Sequence, residues 1–239
     1  GTMKAKSDKA MFRVDSASRV MIDHVMSYGR GATFDTNGYN VNLGMPVESP
    51  SGMGVASIGW TAADAMEKYI GAPAVVISGG GFGATACADF DYLTGCVTNI
   101  RVTCSGSGYT EGSVTATLKY DSKSRTLPVT LGPAVPGGLV KKGTGVLTLD
   151  RVNTYAGETA VEGGTLKAGV EGAIPSGSAI RLDGGTLDLN GQTPTFTGVS
   201  GAGGTVANGP LKIVGEWKVS AKKFLAREST VVAGTVDLT

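Results

Sequence analysis

Histidine occurs once in the 239 residues, at His24. One imidazole excludes a two-histidine zinc site. A serine- or cysteine-type triad built on it would need a marked nucleophile nearby, and the sequence marks none. His24 therefore reads as an ordinary strand residue. Cysteine is almost as scarce, with Cys87, Cys96 and Cys104 and no Cys-x-x-Cys pair among them. One disulfide with one free thiol suits a secreted chain, and three buried small residues suit any chain; the spacing leaves both open. Aromatic residues make up only 6%. No run of 18 apolar residues is present, so nothing spans a bilayer as a helix. The ten-residue amphipathic strands and aromatic girdles of an outer-membrane barrel are missing too. Charge of one sign is also missing: 21 basic against 20 acidic side chains leave +1, which gives no electrostatic case for nucleic acid or an anionic membrane. No Gly-Lys-Ser/Thr phosphate loop occurs. The opening Gly1-Thr2-Met3-Lys4-Ala5-Lys6 is followed by no apolar signal segment and reads as a scar ahead of an excised fragment.

Glycine, by contrast, is abundant at 38 residues, and its placement is periodic. Gly163-Gly164-Thr165-Leu166 recurs as Gly184-Gly185-Thr186-Leu187 and again as Gly203-Gly204-Thr205-Val206. A weaker copy runs from Ala233 to Leu238. Near the N-terminus, Gly31-Ala32-Thr33-Phe34-Asp35-Thr36-Asn37-Gly38 aligns without gaps on Gly184–Gly191. Each unit has a local logic. The Gly-Gly step permits positive φ and a sharp corner. Alternating Thr, Leu and Val then give a short strand with one apolar face. Asn-Gly makes the next corner, because both residue types tolerate left-handed backbone. One such unit cannot bury its own apolar face; stacked on others it can. A period of about 20 residues fits a coil better than hairpins, whose strands are about two to five residues apart. The expected fold is all-β: a right-handed parallel β-helix with a small inserted β-rich module and one short helix. The expected corners are Gly31, Asn37, Gly38, Gly163, Gly164, Gly184, Gly185, Asn190, Gly191, Gly203 and Gly204.

Four regions follow along the chain. Residues 1–10 are a tag-like frayed terminus. Residues 11–59 hold N-terminal rungs, with Phe12/Val14 and Val20/Ile22 alternating, and then a Pro- and Gly-rich loop over 44–59. Residues 60–131 form an inserted helix plus β module. Its helix spans Thr61–Ile70, with Thr61 as N-cap, Asp64 in the capping-box position, and Gly71 and Pro73 ending it. Its strands include a hairpin of 84–90 and 96–104 around the turn 91–95. Residues 132–239 are the repeat β-helix.

Candidate chemistry is sparse, and neither a cofactor nor a metal site is expected. Gly81-Phe82-Gly83-Ala84-Thr85-Ala86 fits a dinucleotide fingerprint by spacing, but the turn opens no helix and no acid stands about 20 residues on. Asp35, Asp188 and Asp237 hold equivalent places in the aligned units. Two of them along one edge would suit sugar hydrolysis; corner residues bonding their own turns are the favoured reading. Asn37 and Asn190 read the same way. The calcium nonapeptide is absent from these repeats. Trp217 with Lys218, Lys222, Lys223 and Arg227 reads as a solvated face, and Tyr109 and Trp60 as packing residues.

The stretch 138–169 also carries a resemblance. Gly138, Leu139, Lys141, Gly143, Gly145, Leu147 and Leu149 open a pattern continued by Asn153, Thr154, Tyr155 and Gly157. Thr159, Val161, Gly163, Gly164, Thr165 and Leu166 close it. This resembles the autotransporter-associated β-strand repeat of bacterial surface and secreted proteins. Val146 and Glu158 depart from the usual small residues. A weaker resemblance, GGGFGATA with GSGYT over 74–120, is to a short β module of large secreted proteins and implies attachment or spacing. The stronger resemblance implies a parallel β-helix passenger or stalk, extracellular or at the cell surface, with no catalytic residue. A non-enzymatic adhesin-like segment is thus expected, used for display or attachment to a host or environmental glycan or protein surface. The alternatives are a β-helical polysaccharide lyase or glycosidase, and a filament segment that associates end to end.

Overall fold

The computed structural model describes residues 2–8, 25–29, 31–61, 67–219, 224–226, 229–231 and 236–237, with side chains described up to Gly215. The chain divides into two compact units: Gly1–Ser49 with Pro136–Thr239, and Pro50–Val135.

The first unit is a right-handed parallel β-helix. One face stacks Thr2–Lys4, Ala32–Asp35, Leu139–Lys142, Thr159–Val161 and the start of Ala179–Asp188, all parallel. A second stacks Val41–Leu43, Val146–Leu149, Thr165–Ala168 and the end of Ala179–Asp188. The long strands Thr195–Ala207 and Leu211–Val219 continue both columns and a third. Val25–Met26 pairs with Val47–Glu48 on that third side. Partners along a column are separated by about 20 residues: Thr159 faces Ile180, and Ile180 faces Val199.

In-register stacking puts like side chains above like. Val41, Leu147, Leu166, Leu187 and Val206 form one aliphatic column, and each is buried. Each such side chain contributes roughly 1.5–3 kcal/mol by leaving water. The three Gly-Gly bends superpose: Thr165 faces Thr186, Thr186 faces Thr205, and Asp183 faces Gly203.

Several expectations need correction. Gly31–Gly38 is not the spatial equivalent of Gly184–Gly191. Ala32–Asp35 pairs with Leu139–Lys142 on the first face, whereas Thr186–Asp188 lies on the second. Both faces end in an Asp-x-Asn-Gly corner, so the sequence alignment matched the chemistry of a corner and not its place in the rung. Residues 2–4, expected to fray, pair with Thr33–Asp35. The 44–59 loop contains two strands, Val47–Glu48 and Met53–Ile58. Its Pro and Gly content hid Val47, Val55 and Ile58, all buried. Phe12, Val14, Val20, Ile22, His24 and residues 62–66 of the expected helix lie outside the described residues, and its expected end is not helical: Lys68 forms an antiparallel bridge with Cys96.

The second unit has its own core, built on Val55, Val97, Ile100, Ala116, Leu118 and Leu127. Ala74–Ser78, Thr115–Tyr120 and Lys123–Leu127 make an antiparallel sheet. Thr85–Asp91 and Cys96–Cys104 make the hairpin. Met53–Ile58 pairs with Val129–Pro133. That pairing places 50–59 and 132–135 in this unit rather than in the rungs.

Truncating the aliphatic column tests the stack. Leu166→Ala is expected to lower unfolding free energy by about 2–5 kcal/mol. Lys167→Ala, on the outer side of the same strand, is expected to stay within about 0.5 kcal/mol. Urea unfolding of the full chain followed by circular dichroism measures both.

Candidate functional site

The signature stretch 138–166 is where sequence places the most specific chemistry, and the structure gives its polar members defined partners inside the coil. Phe34, Lys141, Val161 and Leu182 form one column of the first face. A lysine thus stands where its neighbours are apolar, with no exposed surface. Its Nζ turns to the corner and donates to the carbonyls of Lys142 (2.9 Å), Gly143 (2.7 Å) and Gly163 (3.0 Å). Three acceptors match the three N–H donors of an ammonium group. The bond to Gly163 ties one rung to the next. Gly164, at φ 63°, closes this cage: a Cβ there would stand 2.8 Å from the Lys141 Nζ and crowd the Gly143 and Gly145 carbonyls. Burial pushes the Lys141 ammonium down to about 8, with the Asp35 carboxylate pulling the other way.

Asn153 bridges successive turns at another corner. Its Oδ1 accepts from the Val47 N–H (2.7 Å), and its Nδ2 donates to Arg151 (3.1 Å) and Ala173 (2.6 Å) carbonyls. Tyr155 is buried, with its hydroxyl 2.8 Å from Thr159 Oγ1; burial pushes that phenol up. Thr36 Oγ1 donates to the Thr144 carbonyl at 2.6 Å. An unbonded polar group in such places would cost roughly 2–7 kcal/mol. These side chains are therefore structural.

Of the expected corner residues, Gly184, Gly185, Gly203 and Gly204 lie within the strands Ala179–Asp188 and Thr195–Ala207, where the pairing register shifts. Positive φ is found at Gly31, Asn37, Gly38, Gly164, Gly184, Asn190, Gly191 and Gly203, while Gly163, Gly185 and Gly204 precede or follow such positions without adopting it. Asp35 Oδ1 accepts from the Asn37 N–H at 2.8 Å, and Asp188 Oδ1 from the Asn190 N–H at 2.9 Å. Asp35 and Asp188 lie on different faces and Asp237 pairs with Lys218, so no shared edge brings the three together. On the outside of the first face, Arg181 meets Glu158 (2.8 Å), Glu162 (3.0 Å) and Asp183, and Lys142 meets Glu162 (2.9 Å). The Lys142 and Arg181 cations hold the Glu162 carboxyl below its ordinary value. These half-exposed pairs contribute little individually.

In the second unit the two glycine-rich runs interlock. Phe82 and Ser107 exchange main-chain hydrogen bonds at 3.0 Å, and the Ala84 N–H donates to Tyr109 Oη at 3.2 Å. The dinucleotide-like turn leads into a strand and packs on Tyr109. Trp60 donates to the Val97 carbonyl at 3.2 Å. Cys87, Cys96 and Cys104 are free and half-buried. They face Arg101, Asp91 and Thr85 across the hairpin, so the register offers no cysteine a cysteine partner. In this arrangement no cysteine faces another and none is fully buried. No group of three metal-ligating residues occurs among the described residues. Lys222, Lys223 and Arg227 lie outside the described residues, as does the side chain of Trp217.

The fold and its inward polar pattern define a parallel β-helix that carries one copy of this signature. Residues 139–168 match the family described as Passenger-associated-transport-repeat. The chain is also similar to the Adhesin BmaC autotransporter of Brucella suis biovar 1 (strain 1330), at 36% identity over 103 residues. That match takes in 42% of this chain and 3% of the length of that protein. No solved structure matches the chain.

The lysine cage gives a pH-dependent prediction. The folded-state value near 8 lies below the value of about 10.4 of a free lysine. Between them the unfolded chain binds more protons, so this site adds stability as pH rises from about 8 towards 10. Lys141→Met is expected to cost roughly 2–4 kcal/mol, from the Lys142, Gly143 and Gly163 carbonyls losing their donor. The gap between wild type and variant should widen between pH 8 and 10, read from melting temperatures across that range.

Proposed function

We propose that this chain is a non-enzymatic segment of an adhesin-like, autotransporter-type passenger, displayed at the cell surface and used for attachment. The observation that carries this reading is the structural use of the signature: Lys141, Asn153, Tyr155 and Thr159 all bond or pack within the coil. The repeat match and the similarity to an adhesin autotransporter support the same reading. On this reading the rungs are a rigid support, and the attaching groups are outward-facing side chains or the second unit. A carbohydrate-cleaving reading needs two carboxylates converging in a cleft. Asp35 and Asp188 are instead engaged at separate corners.

Beads coated with the full chain are expected to attach to cultured epithelial monolayers saturably, above beads coated with an unrelated β-helix. Polysaccharides incubated with the same protein are expected to release no new reducing ends. Absence of attachment at every coating density, or appearance of cleaved product, would overturn the proposal.

A further inference from the structure

A cleft in the first unit lies away from the lysine cage, between two successive corner loops. It has a volume of about 390 Å³, within the usual size of a small-molecule site. One wall follows Thr165–Ala168 and the other follows Ala179–Asp188. The first wall lies in the step from Thr159 to its partner Ile180, which is 21 residues long.

Both walls are tied down from behind. The Asn153 N–H donates to the Gly172 carbonyl (3.0 Å), and Asn153 Nδ2 to that of Ala173 (2.6 Å). The Gly191 N–H donates to Asn208 (2.5 Å), and Gly177 to Thr195 (2.7 Å). Val170, Ile174 and Pro194 line the cleft with aliphatic side chains. Glu171, Gln192 and Thr193 line it as polar groups. Unlike the corner residues, these three side chains make no hydrogen bond or ion pair among the described residues.

We propose that this cleft binds a neutral saccharide. Its chemistry argues against the other ligand classes. Glu171 is the one ionised side chain in the lining, so sulfated or uronic-acid glycans and other anions meet repulsion and no cation. One carboxylate is too few to hold a metal ion. An added peptide strand needs an open main-chain edge, and here the Gly191 N–H pairs with the next turn while the Ala173 and Gln192 N–H groups pair within their own loops. A carboxylate, an amide and a hydroxyl beside aliphatic side chains suit the ring hydroxyls and the C–H face of a sugar. The lining holds no aromatic ring, so the affinity is expected to be weak, with Kd in the millimolar range. The biological use of the site rests on the attachment reading above; the site itself rests on the cleft.

Titration of the isotopically labelled full chain with cellobiose, lactose and N,N′-diacetylchitobiose tests this, with digalacturonate as the anionic probe. Expected are saturable NMR shift changes at 170–176 and 191–194 with at least one neutral disaccharide and none with digalacturonate. Glu171→Ala and Gln192→Ala are each expected to weaken binding at least five-fold. Their spectra elsewhere should match wild type, since neither side chain supports the fold. No saturable change in these loops with any neutral disaccharide would overturn the proposal. So would undiminished binding in both variants, or equal binding of digalacturonate. Bead attachment of the two variants is scored separately, so that a dead cleft and a failed attachment reading are told apart.

Discussion

The strands of the coil find their main-chain partners in adjacent turns, and that pairing forces side chains into columns. A residue is therefore judged by the residues about 20 positions before and after it as much as by its neighbours in sequence. The column Val41, Leu147, Leu166, Leu187 and Val206 satisfies that demand with one residue class. The column Phe34, Lys141, Val161 and Leu182 breaks it once. The break is tolerated because the ammonium reaches three carbonyls at a corner where glycine brings two turns close together.

Corners are where such a coil is weakest, since carbonyls and amides there leave the strand ladders. The polar residues of the signature sit at those points. Lys141 closes one corner, Asn153 another, and Thr36 reaches the Thr144 carbonyl at the first. A signature of this kind describes a way of stacking, and the family it matches is defined by the repeat. On the proposed attachment reading, recognition chemistry has to come from groups that the stacking leaves unengaged. The cleft with Glu171, Gln192 and Thr193 holds three of them.

The second unit follows different rules. Its strands are antiparallel and pair with neighbours in sequence or across its own span. Its glycines serve close approach: Gly106 lies against Ala84 and Gly81 against Tyr109, which locks the two glycine-rich runs together. Lys123–Leu127 escaped sequence reading because it lies at the edge of its sheet with four of five residues exposed, so it lacks the alternation of a half-buried strand.

Local chemistry was enough to establish the repeating corners, the hairpin 85–104 and the inward alternation, because each depends on residues within one turn of chain. The Gly163, Gly184 and Gly203 bends were legible for that reason. Which face a corner belongs to was not legible, as Gly31–Gly38 shows: Asp-x-Asn-Gly closes two different faces, and only pairing between distant turns tells them apart. Nor did the sequence reveal that Lys141 is buried, since its partners at Gly163 come from the next rung. The cleft belongs to the same category. Its walls are two loops about 20 residues apart, and tertiary stacking alone sets them side by side.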